Sequence, residues 1–472
     1  MITAIVQREI VSFLRSGVFL SIAAALFALL AAAAMLSIER VSTFERERAA
    51  AEAVDRDVWD SQGERNPHSA AHFARYAFKP IPGLVAFDPG VTDYAGIALW
   101  MEAHYQNPAV FRRAEDLGDA GRIANLSPAW VLQVIAPLFV FLVLFGAVAG
   151  ERESGTLRQA AAMGVSPGAL FLGKLLGAGV GLGAIILPAL VVAIWIAGRA
   201  GGEAFLPDQF IRTGGLIVSY TIYFISLGAI AIGVSALLSE KRAALIALVA
   251  LWAGSIVLIP RIASDAASTI YAEPDAAAVS RQLSDASSAF YQDDEYRDAI
   301  EKAVLEEYGV EETDELPINY GAYSLQRSEE HAHPLFETVY ERLDDIHRSQ
   351  EDVLRMASLV SPVIALNTMS AGLSGADRVH QKVFAKGAET HRRKIIKQLN
   401  DDLMYNAGDA RYSYTANEEL WREIEDFSYT PPRFLSLLGA YAFSAIVLLA
   451  YAIGGLIFAI WAVKRAQKRI AS

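Results

Sequence analysis

The sequence predicts an all-α polytopic membrane protein, with six transmembrane helices and a large helical extracytoplasmic domain built from two inserts. Three observations lead to this fold class. The 472 residues are 53% hydrophobic. The apolar residues are gathered in uncharged runs of roughly 20 residues, the length that a helix needs to cross a bilayer. Two long polar segments interrupt those runs, and both contain stretches with helical patterns.

The predicted elements follow one another along the chain. In order, they are an amphipathic interfacial helix at 1–16, span 1 at 17–38, insert 1 at 39–127, span 2 at 128–150, a loop at 151–174, span 3 at 175–198, a short outer loop at 199–212, span 4 at 213–239, a turn at 240–242, span 5 at 243–260, insert 2 at 261–433, span 6 at 434–463 and a tail at 464–472.

The first helix is predicted to lie at the interface because its apolar side chains share one face. That face consists of Ile2, Ile5, Val6, Ile10, Phe13 and Leu14. After span 1, residues 44–60 are charged and rich in alanine, so a helix is expected to continue out of the membrane.

Insert 2 is predicted to be mainly helical. Its predicted helices are Asp293–Tyr308, Leu335–Leu359, Asp377–Met404 and Asn417–Phe427. The apolar segment 359–373 is too short to span a bilayer. It is either an interfacial or re-entrant piece or the core helix of the outer domain, and the sequence leaves both alternatives open.

Basic residues indicate the orientation. Six spans place both termini on one side, and the cationic positions on that side are Arg8, Arg15, Arg152, Arg158, Lys174, Lys241, Arg242 and the tail from Lys464 to Arg469. The one short loop on the other side holds only Arg199 and Arg212. The positive-inside rule therefore predicts cytoplasmic termini and two extracytoplasmic inserts.

Charge and composition also exclude some functions. The net charge is −12 and insert 2 is strongly acidic, which argues against nucleic-acid binding. The chain has no cysteine, so it forms no disulfide and has no thiol nucleophile. The spans contain no acidic, Arg or His residue near mid-membrane, where ion-coupled carriers place such groups. We predict no catalytic residue, and the energy for any work must come from elsewhere.

The loop between spans 2 and 3 carries the most informative pattern. It reads Glu-x-x-x-Gly-Thr-Leu from Glu151 to Leu157, then Ser166-Pro167 and Gly173-Lys174. This pattern resembles the signature after the second span of ABC-2-type transporter permeases. The phrases Asn66-Pro67-His68-Ser69 and Phe87-Asp88-Pro89-Gly90 make the chain similar to one branch of that family, which has a large extracytoplasmic domain of unknown function. The resemblance covers nearly the whole chain.

The resemblance implies the permease subunit of an exporter. Its energy would come from a separate ATPase subunit, which binds ATP and Mg²⁺. This chain would then hold no cofactor itself, would pair with itself or a sister permease, and would lie in the bacterial inner membrane. In that family the loop docks onto the ATPase. The implied coupling residues are Glu151, Arg152, Glu153, Gly155, Thr156 and Lys174.

Physical arguments assign roles within this loop. Gly155 allows a sharp turn, and Thr156 is expected to cap a short helix over Leu157–Met163. Lys174 is expected to snorkel at the entry of span 3. Glu151 and Glu153 are expected to contact the ATPase or the amphipathic N-terminal helix.

Two glycine patterns imitate nucleotide-binding motifs. Gly168 to Lys174 resembles the start of a phosphate-binding loop, but Leu175 stands where Ser or Thr would bind magnesium. The glycines at 177, 179, 181 and 183 imitate a dinucleotide fingerprint inside an apolar run. We interpret Gly177 and Gly181 as helix-packing residues, because small side chains let membrane helices approach closely.

Insert 1 contains a candidate metal site. His68 and His72 lie four residues apart after Pro67, so a helix starting there would place both on one face. His104 follows in the same insert. Imidazoles in such a set can bind a metal ion, although they can also cap, stack or hydrogen-bond within a small domain. His331 and His333 are a weaker candidate in insert 2.

Two functions from different classes remain open on the sequence. The first is the ABC-2-type permease, which moves a substrate across the membrane with a partner ATPase. The alternative is an ATP-driven mechanotransmission or assembly factor that acts on a periplasmic partner and transports nothing. A membrane enzyme is not predicted, because no catalytic constellation is present.

Overall fold

A computed structural model describes residues 1–112, 126–200 and 208–471. The fold is all-α apart from one small antiparallel sheet. Within these described ranges, five helices are long and apolar enough to cross a membrane, namely Gly17–Asp60, Pro128–Glu153, Gln209–Leu237, Lys241–Ile270 and Phe434–Arg469. These helices agree with a multi-pass membrane protein. The predicted span 3 falls in the helix Pro167–Ala200. The apolar stretch found there, Pro167–Gly181, is shorter than the five helices above. The count of six spans remains a prediction.

The helices are numbered in chain order. At the start of the chain are α1 (Ile2–Arg15), α2 (Gly17–Asp60) and α3 (Pro67–Phe73), followed by strand β1 (Tyr76–Phe78), α4 (Thr92–Ala95), strand β2 (Ala98–Trp100) and α5 (Pro128–Glu153). The middle of the chain has α6 (Thr156–Ala162), α7 (Pro167–Ala200), α8 (Gln209–Leu237) and α9 (Lys241–Ile270). The remainder forms α10 (Ala276–Gln292), α11 (Asp294–Tyr308), α12 (Tyr320–Ala357), α13 (Pro362–Ser374), α14 (Arg378–Asn406), α15 (Glu418–Glu423) and α16 (Leu438–Ala471).

Helix α2 runs without interruption from the predicted span 1 into insert 1. Its 44 residues extend for about 66 Å, roughly twice the thickness of a hydrocarbon core. The helix therefore continues through residues 44–60, as the sequence indicated. Helix α9 likewise continues past residue 260, the predicted end of span 5, to Ile270. Arg212, the last residue of the predicted outer loop 199–212, lies within α8, which begins at Gln209. Residues 201–207 of that loop are outside the described part.

The helices of insert 2 differ from the predictions in two places. Helix α12 begins at Tyr320 and contains Pro334, whereas the sequence placed the start after that proline. The helix continues through the proline because Ala332 and Phe336, on either side of it, are both buried in one apolar cluster. Helix α15 ends at Glu423, before the predicted Phe427, because Ile424 is extended.

Residues of both inserts share one core. Trp59 and Leu99 from insert 1 pack in the same cluster as Phe384, Leu399 and Trp421 from insert 2. The indole of Trp59 donates to the carbonyl oxygen of Trp421 at 3.0 Å. The two inserts therefore form a single domain, which we call the outer domain.

Helix α13 does not lie in that core. Its apolar residues Val363, Leu366 and Leu373 belong to the cluster that holds the membrane-spanning candidates. Gly215 of α8 lies against Leu373, and Gly372 lies against Tyr441 of α16. Helix α13, which makes up most of segment 359–373, therefore packs between two spanning candidates. The alternative of a core helix in the outer domain is wrong.

Helix α1 lies along helix α7. A Cβ atom added at Gly173, Gly177 or Gly181 would come within 3.0 Å of a side chain of α1. The three α1 residues concerned are Ile5, Glu9 and Phe13, which are also four apart. The glycines thus form a groove into which one stripe of the amphipathic helix packs.

Candidate functional site

The bundle has two ends that differ in character. We call the end that carries residues 151–174 the loop end, and the end that contacts the outer domain the domain end. The predicted coupling residues lie at the loop end and the predicted metal ligands lie in the outer domain.

At the loop end, Gly155 turns the chain between α5 and α6. Its φ of +76° is left-handed, which glycine adopts without strain. The cap of α6 is Gly155 and not Thr156, which is the first helical residue. The Thr156 hydroxyl instead donates back to the carbonyl oxygen of Glu151 at 3.3 Å. The expected capping role of Thr156 is therefore wrong, because its hydroxyl is used to close the turn.

Glu151 and Lys174 form the centre of a buried charge cluster. Lys174 Nζ lies 2.9 Å from Glu151 Oε1 and 3.0 Å from Glu9 Oε1. Arg8 lies 3.3 Å from the same oxygen of Glu151. Lys174 is only 2% exposed, so it is enclosed by carboxylates and does not snorkel as expected. The cluster joins α1, α5 and α7.

Arg152 and Glu153 hold the turn between α8 and α9. The Arg152 guanidinium donates to the carbonyl oxygens of Leu238 and Ala236, both at 2.7 Å. Glu153 Oε1 accepts from the backbone N–H of Lys241 at 2.8 Å. The charged residues before Gly155 therefore bind other parts of this chain.

Helix α6 presents one exposed face. Leu157 is fully buried and anchors the helix, while Arg158, Gln159 and Ala162 are exposed. Met163, just after the helix, is 74% exposed. A short anchored helix with an apolar side chain and a cation on its open side has the features of a docking element.

In the outer domain, His68, His72 and His104 come together. Helix α3 starts at Pro67, and the Asn66 side chain caps it by accepting from the N–H groups of His68 and Ser69. His68 Nε2 and His72 Nε2 are 3.1 Å apart. One ligand atom from each of the three histidines lies within 4.8 Å of the others. The structure thus brings together the three residues that the sequence selected.

His104 is held in place by a buried ion pair. Its Nδ1 lies 3.0 Å from Glu329 Oε1, and its backbone N–H donates to the same oxygen. Glu329 pairs with Arg392 at 3.0 Å, and both side chains are 2% exposed. Burial raises the pKa of Glu329, but the hydrogen bond with His104 and the charge of Arg392 outweigh it and lower the pKa to about 2. Glu329 is therefore ionised.

The pKa of His68 is lowered, whereas pairing with a carboxylate raises the pKa of a surface histidine. Burial lowers the pKa of His68 to about 4, and His104 and His72 contribute to the shift. At neutral pH the ring is therefore uncharged, which is the form of imidazole that binds metal ions.

The weaker candidate pair does not join the cluster. His331 packs its ring against Tyr296, with centroids 4.5 Å apart. His333 Nε2 lies 4.0 Å from Glu329 Oε2. Among the described residues, the gathered histidines are those at 68, 72 and 104.

A buried polar cluster at the domain end was missed by the sequence analysis. Gln133 Nε2 donates to Tyr220 Oη at 2.8 Å and lies 3.4 Å from Asp88 Oδ2. Tyr220 Oη is 3.0 Å from Ser370 Oγ. Asp88 comes from insert 1, which was treated as a separate polar segment, so a search of the spans alone could not find it.

Comparison with known proteins adds one finding. Residues 272–430 match a family model described as "Domain of unknown function (DUF3526)". The match covers the part of the outer domain from α10 to just before α16. No curated protein matches the chain.

Proposed function

We propose that the chain is the permease subunit of an ABC-2-type transporter, an exporter of the bacterial inner membrane with cytoplasmic termini and a separate ATPase partner. The observation that carries this proposal is helix α6. It is a short helix at the loop end whose exposed face includes Arg158 and Met163. The resemblance of the 151–174 loop to the family signature adds support.

The contacts at the base of α6 provide a route for force. Arg152 holds the end of α8 and Glu153 holds the start of α9. Glu151 is bound through Lys174 to α7 and α1. A push on α6 by a closing ATPase dimer would therefore move the loop ends of several helices together. Such a mechanism needs no nucleotide site in this chain.

The second candidate is ATP-driven mechanotransmission to a periplasmic partner without transport. Helix α2 supports it, because one unbroken helix of 44 residues links the bundle to the outer domain. A motion at the loop end could then reach the outer domain through a rigid lever. In this case the spans need not open a path.

The docking role of α6 is tested by reversing its exposed face. We expect Arg158→Glu with Met163→Glu to abolish co-purification of an ATP-hydrolysing subunit from native membranes. The matched control is Arg422→Glu with Met356→Glu, which changes an exposed arginine and an exposed methionine elsewhere. The control should keep the ATPase. Retention of the ATPase and of its activity by the α6 variant would disprove the docking role.

Orientation is tested with single cysteines, since the native chain has none. Ser61→Cys should react with a membrane-impermeant thiol reagent in intact spheroplasts. Ser154→Cys should react only after permeabilisation. The reverse labelling pattern would contradict cytoplasmic termini.

Transport and mechanotransmission are separated by Ser370→Cys. Ser370 is fully buried in the polar cluster between α8 and α13. In a transporter, ATP turnover should open this position to small thiol reagents. If labelling of Ser370→Cys stays absent during turnover while the protease sensitivity of the outer domain changes, mechanotransmission is favoured.

A further inference from the structure

We propose that His68, His72 and His104 form a zinc site in the outer domain, with three imidazole ligands and a fourth position open to solvent. The proposal is independent of the transport function. It rests on the convergence of the rings, on the groups that hold them and on the way the site joins the two inserts.

The ligand geometry is close to that of a bound metal. Zinc binds histidine nitrogens at 2.0–2.1 Å, so two nitrogens in a tetrahedral site are about 3.3 Å apart. His68 Nε2 and His72 Nε2 are already 3.1 Å apart. The third nitrogen lies within 4.8 Å. Metal binding would therefore draw the third nitrogen closer to the other two.

The surroundings orient the ligands. His104 Nδ1 lies beside Glu329 Oε1, which leaves its Nε2 for a metal. Carboxylate–histidine–metal arrangements of this kind are a regular feature of zinc sites, where the carboxylate fixes the ring. Arg392 in turn fixes Glu329 and also donates to the carbonyl oxygen of Glu102 at 3.0 Å. His104 has a positive φ of 63°, a strained conformation that such contacts maintain.

The site joins both inserts. The three ligands belong to insert 1, whereas Glu329 and Arg392 belong to α12 and α14 of insert 2. Asn66, the cap of α3, donates through Nδ2 to the carbonyl oxygen of Tyr412 at 2.8 Å. A metal bound here would therefore stabilise the packing of the inserts.

Ligand chemistry selects the class of metal. Three imidazole nitrogens without a thiolate suit zinc and its neighbours in the first transition row, and not calcium or magnesium. Three protein ligands leave one tetrahedral position free, as in zinc sites that bind water or an exogenous donor. His72 is exposed, so the free position is accessible from solvent.

The test measures zinc binding to the full chain, purified in detergent without a polyhistidine tag and stripped with a chelator. Competition with a chromophoric chelator should give about one tight zinc ion per chain. His72→Ala should weaken binding by at least about 100-fold. The matched control, His347→Ala, removes a half-buried histidine elsewhere, beside Glu273, and should bind as the native chain does. Equal zinc binding by the native chain and His72→Ala would overturn the proposal.

Two further measurements keep the proposal testable if a variant folds poorly. Cobalt added to the native chain should give the intense visible absorption of a four-coordinate site, whereas a weak six-coordinate spectrum would overturn the proposal. Zinc should raise the thermal midpoint of the native chain and of His347→Ala but not that of His72→Ala.

Glu329→Gln should keep the cobalt spectrum and weaken zinc binding about 10- to 100-fold, as expected for a positioning residue.

Discussion

Both ends of the bundle attach an accessory element through one buried cation, but the cations are bound differently. At the loop end, Lys174 attaches α1 through the carboxylates of Glu9 and Glu151. At the domain end, Arg212 of α8 attaches insert 2. It pairs with Asp208 at 2.6 Å and donates to the carbonyl oxygens of Gly372 and Pro432 at 3.0 and 2.7 Å.

The two attachments differ in whether the bound cation can be replaced by another one. The loop-end attachment depends on charges, and carboxylates can accept an alternative cation from a partner or from the solvent. The domain-end attachment depends largely on backbone carbonyls, which do not titrate and are part of the chain itself. The comparison suggests that α1 is attached reversibly and that insert 2 is attached permanently. Four predictions test this contrast.

The largest effect is expected for Arg212→Leu. Asp208 would lose its cation and keep only the backbone N–H of Phe434, and the carbonyl oxygens bound by Arg212 would lose their donor. We expect a cost of about 3–5 kcal/mol. The thermal midpoint in detergent should fall and insert 2 should become sensitive to protease. Arg261→Leu is the control, because Arg261 is 78% exposed. An unchanged midpoint in Arg212→Leu would remove the basis for a permanent attachment.

Gly177→Ala should have the next largest effect. Its Cβ would lie 2.6 Å from Glu9 Cβ, so α1 must move away from α7, at a cost of about 1–3 kcal/mol. We expect faster tryptic cleavage at Arg15. Gly179→Ala is a matched control on the same helix, since a Cβ there meets nothing within 4 Å. If both variants are cleaved alike, the glycine groove does not hold α1.

Much of the bundle could be predicted from the sequence, because long uncharged runs have few alternatives to a spanning helix. The continuity of α2 was also visible in its alanine-rich extension. The position of α13 could not be predicted, since a mainly apolar helix of 13 residues fits the core of a bundle or of a soluble domain equally well. The predicted start of α12 was wrong because Pro334 is a typical helix-start signal. The burial of Ala332 and Phe336 on either side of it depends on distant residues and is not a local property.

In the candidate sites too, contacts within one helix could be predicted and contacts between distant residues could not. The four-residue spacing after Pro67 was enough to bring His68 and His72 together, because that contact is within one helix. The partner of His104 is Glu329, 225 residues further along the chain. No local pattern indicates such a contact. The same reason explains why Asp88 was missed, since only the fold places it beside Gln133.

A smaller effect is expected for Glu151→Gln. Lys174 would keep Glu9 as a partner, so the local cost should be about 1–2 kcal/mol, below the usual value for a broken buried pair. Hydrogen exchange in α1 should increase. Added salt should have the same effect on the native chain if the attachment is reversible. Glu240→Gln, an exposed change at the same end, should leave α1 as it is. Salt-independent exchange would contradict the proposed reversibility.

The smallest effect concerns pH at the domain end, where Asp344 of α12 binds Arg378 and Lys382 of α14. Burial raises the pKa of Asp344, but the hydrogen bonds from Lys382 and Arg348 and the charge of Arg378 outweigh it and lower the pKa to about 2. The group therefore stabilises the folded domain above pH 3.8, its ordinary pKa, and this contribution is lost as the pH falls through 2.

Because Asp344 is partly solvated, we expect the loss to be only about 1 kcal/mol. The measurement is the denaturant midpoint of the full chain between about pH 5 and 2, compared with Asp344→Asn. The variant should be less stable than the native chain at the upper pH, and the difference should disappear at the lower pH. The contacts of Arg212 with the carbonyl oxygens of Gly372 and Pro432 should persist throughout, because carbonyl groups do not titrate. If Asp344→Asn and the native chain show parallel curves, the ion pair does not contribute to the permanence of the domain end.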